Sequence, residues 1–119
     1  MIDELAIGAE ERRGRDAAVV GRTKLLVIGR IGDRRFAIPA ASIAYCLRMT
    51  AVTPLPAAPR SVVGAVNLRG TVVPVVDPRP WFDVPTPRFH PEQYLVLVRA
   101  QCDFLLWVDR LDQTFVAHD

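Results

Sequence analysis

Chemically reactive side chains are scarce in this chain. Its 119 residues include two histidines, His90 and His118, and two serines, Ser42 and Ser61. Neither serine sits in a nucleophile elbow, and no glycine-rich phosphate loop occurs. Gly29-Arg30-Ile31-Gly32 belongs to a hairpin and is followed by no helix. Cys46 and Cys102 stand far apart with no His or Cys at ligand spacing. They read as buried small hydrophobes in a reducing cytoplasm, not as a disulfide or zinc framework. No apolar run approaches the roughly 20 residues of a membrane span, and residues 1–16 mix acids with arginines around no apolar core, unlike a signal peptide. Lysine occurs once, against fourteen arginines and thirteen acids, for a net charge of +2. The positive charges are scattered, so a basic tether to nucleic acid or membrane is not indicated. The expectation is a cytoplasmic protein without catalysis, cofactor or metal.

What is abundant is apolar and β-branched. Half the residues are hydrophobic, enough for one domain, or for two very small barrels sharing a core. Residues 1–22 are charged and carry no sustained period, which predicts a mobile arm with at most a short helix over 2–13. A strand is predicted from residue 25, a turn at Gly32-Asp33, and a return over 34–38 in which Phe36 and Ile38 alternate with Arg35 and Ala37. Gly29 inside the first strand marks a bulge or a close backbone approach. Pro39 ends the return and opens one helical turn, and another short strand covers 45–49. The run TPLPAAP (53–59) is a bent surface connector. A second proline-rich connector spans 78–91, with a helical turn over 79–82. Strands over 94–99 and 104–110, and a last one over 114–117, complete the body. Short strands without a crossover helix predict an all-β fold of the barrel class.

The segment VVGAVNLRGTVVPVVD (62–77) stands apart. Two apolar runs flank Asn67-Leu68-Arg69-Gly70, and the asparagine and glycine predict a three-residue hairpin loop with a bulge. Pro74 predicts an edge strand or a bulge at that point. Arg69 has two readings, a screened surface arginine or a contact for a partner; Asp or Asn would serve the turn more cheaply.

Three carboxylates, Asp77, Asp109 and Asp112, lie near strand ends. They are expected to cap turns or pair with Arg79 and Arg110 rather than to work as acids and bases. Asp77 with His90 would be two residues, not a constellation. Trp81-Phe82 and the run 104–107 are the two stretches that could stack on bases, but Trp107 lies in an apolar run and is expected in the core. Trp81 is expected to plug a barrel end, or, in an alternative reading, to stack on bases in a small nucleic-acid-binding barrel.

In order, FAIPAASIAYCLR, TPLP, VVGAVNLRGTVVPVVD and WVDRL resemble the CheW-like coupling domains of bacterial chemosensory systems, closely over 25–82 and more loosely over 94–116. The resemblance implies two small five-stranded barrels, no catalysis, and a scaffold bridging the cytoplasmic tips of chemoreceptors to the regulatory domain of a CheA-type histidine kinase. It implies a membrane-associated receptor array as the place of work, without insertion into the membrane and without nucleic acid. It also implies that a receptor helical hairpin lies in a groove between the barrels, held by Arg69 and by apolar Ile43, with Asn67, Leu68 and Gly70 shaping the bend. Family members continue further than Asp119, and Leu105 stands where they often have glycine. A CheW-like domain over 23–119 with a short second barrel is therefore expected, with unpaired strand edges and a less secure kinase contact.

Overall fold

A computed structural model describes residues 23–118. The arm expected over 1–22 and its short helix lie outside the described residues. The described strands are β1 (Thr23–Ile31), β2 (Arg34–Pro39), β3 (Ile43–Arg48), β4 (Val62–Leu68), β5 (Thr71–Val76), β6 (Tyr94–Val98), β7 (Phe104–Val108) and β8 (Arg110–His118). Single 3-10 turns, Ala40–Ser42 after Pro39 and Arg79–Phe82 after Pro78, stand where helical turns were expected.

The strands form a three-stranded sheet, β2-β1-β8, and a five-stranded sheet, β3-β6-β7-β5-β4. Hydrophobic alternation sorts the side chains of the larger sheet onto two cores. Phe104, Leu106 and Val108 of β7, with Val96 and Val98 of β6, join Ile31, Phe36 and Ile38 in a core between the sheets. Leu105 and Trp107, with Leu95 and Leu97, join Val66, Val73 and Val75 in a second core on the other face. All five β7 residues are buried, as a strand covered on both faces should be. Full burial of each such side chain contributes about 1.5–3 kcal/mol. Leu105 fills the second core with its side chain fully buried.

The barrels differ from the expected pair. Leu47 of β3 and Val66 of β4 both pack on the second core, although their strands lie at opposite edges of the sheet. The larger sheet therefore curls around that core, but no pairing of β3 with β4 closes it among the described residues. The smaller sheet has three strands, because β8 pairs along one side of β1 and β2 along the other. Among the described residues β2 and β8 are its edges.

Gly29 has both properties expected of it. The β1–β8 register shifts between Val27 and Gly29, and a Cβ on Gly29 would stand 3.0 Å from the ring of Phe36. Pro74 lies in an interior strand, but on a stretch of β5 that is a local edge, as expected, beside a register shift in the β4–β5 ladder. β5 lies between β4 and β7, but its pairing with β7 begins at Val75, so the missing N–H of Pro74 costs that ladder nothing.

Two packing expectations are corrected. Both cysteines are exposed: Cys46 sits on β3, an edge strand, and Cys102 in the β6–β7 turn, so neither position is core. Trp81 is 50% exposed and plugs nothing; its neighbour Phe82 packs on the core between the sheets and stacks on Phe36 at 6.0 Å. Trp107 is in the core, as expected.

Candidate functional site

The β4–β5 hairpin is tighter than its sequence predicts. Leu68 pairs with Thr71, leaving a two-residue loop of Arg69 and Gly70 in place of the expected three-residue loop. Both have positive φ, 52° and 90°, the requirement of a type I′ turn, whose twist matches that of the flanking strands. Asn67 closes the bend from its side chain: its Oδ1 accepts a hydrogen bond from the Gly70 N–H at 2.7 Å. Arg69 thus adopts the left-handed conformation, which costs a non-glycine residue about 1–2 kcal/mol. Its side chain is exposed at the tip.

Beside the tip lies a groove of about 490 Å³ with a mixed lining: Tyr45 of β3, Leu68 of β4, Thr71, Val72 and Val73 of β5, Leu97 of β6, and polar Gln101 and Asp103 of the β6–β7 turn. It opens where the curled sheet fails to close. Val72 is 65% exposed and Tyr45 48% exposed. Apolar side chains this open at one rim are what a partner surface presents.

Of the five residues proposed from sequence, Asn67, Leu68, Arg69 and Gly70 form this tip. Ile43 is not among the groove's lining. It pairs with Val98 and packs, half buried, on the core between the sheets. The groove is also placed differently from expectation: strands of the five-stranded sheet line it, rather than two facing barrels. Tyr45 and Val72 were missed by sequence reasoning. The available signal was Val72, an apolar residue out of phase with the buried Val73 and Val75.

Behind the hairpin, β5 runs into a buried polar network. Asp77 Oδ1 accepts from the backbone N–H of Arg79 at 3.0 Å and from its Nη1 at 2.8 Å, and Asp77 Oδ2 accepts from the Thr86 hydroxyl at 2.6 Å. Arg79 Nη2 donates to Asp109 Oδ1 at 2.8 Å, and the guanidinium lies 4.3 Å from the Trp107 ring centroid. Gln93 Oε1 accepts from the Trp107 indole N–H at 3.0 Å. The pairing of Asp77 with Arg79 is as expected. Asp109 pairs with Arg79 rather than Arg110, and Asp112 approaches Arg30 at 3.7 Å. Asp77 and His90 form no joint site: His90 Nδ1 instead accepts from the Glu92 N–H. Gln93 carried no sequence signal. With Trp107 inside this network, the base-stacking alternative retains Trp81 and loses its second platform.

Among the described residues, no helix is long and apolar enough to cross a membrane. The family profile described as CheW-like domain matches residues 25–116. Among curated proteins, the chain is 40% identical over 52 residues to a chemotaxis protein CheW of Rhizobium meliloti, covering 44% of this chain and 34% of that one. It is 40% identical over 48 residues to protein FrzA of Myxococcus xanthus, covering 40% of this chain and 30% of that one. The matches thus span about a third of each relative's length. Among solved structures, the scaffolding protein TtCheW of Thermoanaerobacter tengcongensis superposes with a TM-score of 0.71 at 19% identity, over 77% of this chain and 64% of that one. That likeness establishes the fold.

Proposed function

Because the chain belongs to the CheW-like domain family, we propose that it is a non-catalytic adaptor of chemotaxis signalling, working at chemoreceptor arrays. It holds the cytoplasmic tip of a chemoreceptor against the hairpin tip and its groove, and couples that receptor to the regulatory domain of a CheA-type histidine kinase. The role is geometric: two partners are kept in a fixed relation, so that a small receptor shift biases the kinase. The observation that carries the reading is an exposed, left-handed Arg69 beside an open groove with exposed Val72 and Tyr45 in its lining, inside a segment matched to the family. A receptor helix laid there would gain affinity from apolar area, with Val72 and Tyr45 supplying it. The rim arginine would set register and partner choice. Ile43 would act at one remove, by supporting the strand that presents Tyr45.

The test is co-purification with a receptor cytoplasmic fragment. Arg69→Glu is expected to abolish capture while leaving the circular dichroism spectrum and unfolding midpoint near wild type. Capture by the variant at wild-type affinity would remove Arg69 from the site.

A further inference from the structure

On the outward face of the three-stranded sheet, the pairing register sets three arginines in a row. Arg35 of β2 stands opposite Arg30 of β1, and Arg30 stands opposite Arg110 of β8. The neighbouring rank, Phe36, Gly29 and Leu111, takes the inward face: Phe36 belongs to the core and Leu111 packs on it. The arginines therefore point away from the core. Arg35 and Arg110 are exposed, and the Arg30 side chain is 39% exposed. With strands about 4.8 Å apart, the row spans about 10 Å. Among the described residues its one ion pair is the long contact of Arg30 with Asp112.

Like charges directly opposite one another destabilise a sheet. Among the described residues only the long Arg30–Asp112 contact offsets that repulsion, and an occupant of opposite charge would offset the rest. We propose that the row is a docking surface for an acidic protein segment, a helix with carboxylates one turn apart. Side chains three or four apart on a helix stand about 5–6 Å from each other, close to the strand spacing. A helix crossing the strands would set three carboxylates over three guanidinia, whose planar forks accept them in paired hydrogen bonds. Ile28 and Ala37, paired with each other on the same face, offer that helix an apolar flank. Lipid headgroups and nucleic-acid phosphates fit less well. The row is one residue wide, which matches one line of carboxylates along a helix and not a broad phosphate surface. None of these residues belongs to the hairpin tip, so the surface stands apart from the receptor reading and can fail without it.

The test uses the intact chain and a labelled alanine-based helical peptide with glutamates at positions i, i+4 and i+7. Saturable binding is expected at low salt, weakening about tenfold or more between ~20 and ~300 mM salt. The double variant Arg35→Glu with Arg110→Glu should weaken it at least about tenfold. Arg88→Glu, half that charge change on an exposed loop position, should leave it within about twofold of wild type. No saturable binding, equal loss in Arg88→Glu, or preferential capture of phosphatidylglycerol vesicles or a thymidine oligonucleotide by the same arginines would overturn the proposal. A second measurement needs no ligand. Arg35→Gln with Arg110→Gln should raise the urea midpoint at low salt, and the gain should vanish at high salt. A midpoint unchanged or lowered at low salt would show that the row is not self-repelling, and would end the inference.

Discussion

Arg79 and Asp109 join the two halves of the molecule. The guanidinium follows β5 in the larger sheet, while Asp109 Oδ2 accepts the backbone N–H of Gly32, in the β1–β2 turn of the smaller one, at 2.7 Å. The backbone N–H of Asp109 also donates to the carbonyl of Arg30 at 2.8 Å. One carboxylate thus ties a turn of the first sheet to an arginine of the second. For the adaptor role proposed above such a joint would matter, because a loose angle between the sheets would blur the relation between the two partners.

Arg79→Met tests that joint. The arginine is fully buried and Asp77 nearly so, so removing the guanidinium leaves a carboxylate in the interior without its cation. The expected loss is about 3–5 kcal/mol in urea unfolding. Arg79→Lys should recover little, because one ammonium cannot span two carboxylates as a planar fork does. A loss below about 1 kcal/mol for Arg79→Met would place the stability elsewhere.

Gly64 opens the Gly-x-x-Asn-Leu-Arg-Gly block, and its role lies in the connector rather than the bend. A Cβ there would stand 2.5 Å from the Thr53 carbonyl oxygen and from Val52 Cγ1. Thr53 and Ala65 exchange backbone hydrogen bonds of 2.9 and 2.8 Å at that point, a bridge that ties the TPLP connector to the edge of β4. Gly64→Ala should therefore cost about 1–3 kcal/mol through a backbone clash that no rotamer relieves. Amide hydrogen exchange at Ala65 and Thr53 should accelerate in parallel.

These cases mark what the residues alone could tell. Strand positions, both proline-opened turns and the bulge at Gly29 were legible because local period and backbone chemistry determine them. The tip was legible for the same reason, except that Arg69 itself enters the left-handed region, a choice that Leu68–Thr71 pairing makes and propensity disfavours. The groove, the Arg79 network and the arginine row were not legible. Each assembles residues far apart in sequence through sheet order and register, and a one-residue slip would face every side chain the other way. The cysteines misled because exposure at an edge strand and in a turn depends on that same order.

Arg69→Asn separates stability from partner contact at the tip. It turns Arg-Gly into Asn-Gly, the favoured pair for a two-residue hairpin loop with positive φ at both positions. The variant should gain about 0.5–1 kcal/mol in stability, within the range of turn optimisation. It should nevertheless bind a receptor fragment more weakly than wild type, since the guanidinium is gone. Chemical denaturation and capture, measured on the same preparation, check both directions. A variant that is both less stable and undiminished in binding would contradict the turn geometry and the proposed role together.

Cys46 offers a check on β3 through pH. Partial burial of its thiol raises the pKa above the ordinary 9.0, although the residue as a whole is exposed. The folded chain then holds this proton more tightly than the unfolded chain does. Stability is therefore unaffected well below the ordinary thiol range and falls as pH climbs through it, because the unfolded state ionises first. In a Cys102→Ser background, alkylation of Cys46 should be slower at pH 8 than that of a short unstructured peptide, because the thiolate is the reacting form. Adding urea past the unfolding midpoint should remove the difference. Equal rates in the folded protein and the peptide would show the thiol fully solvated, and with it an edge of β3 more open than its pairing with β6 describes.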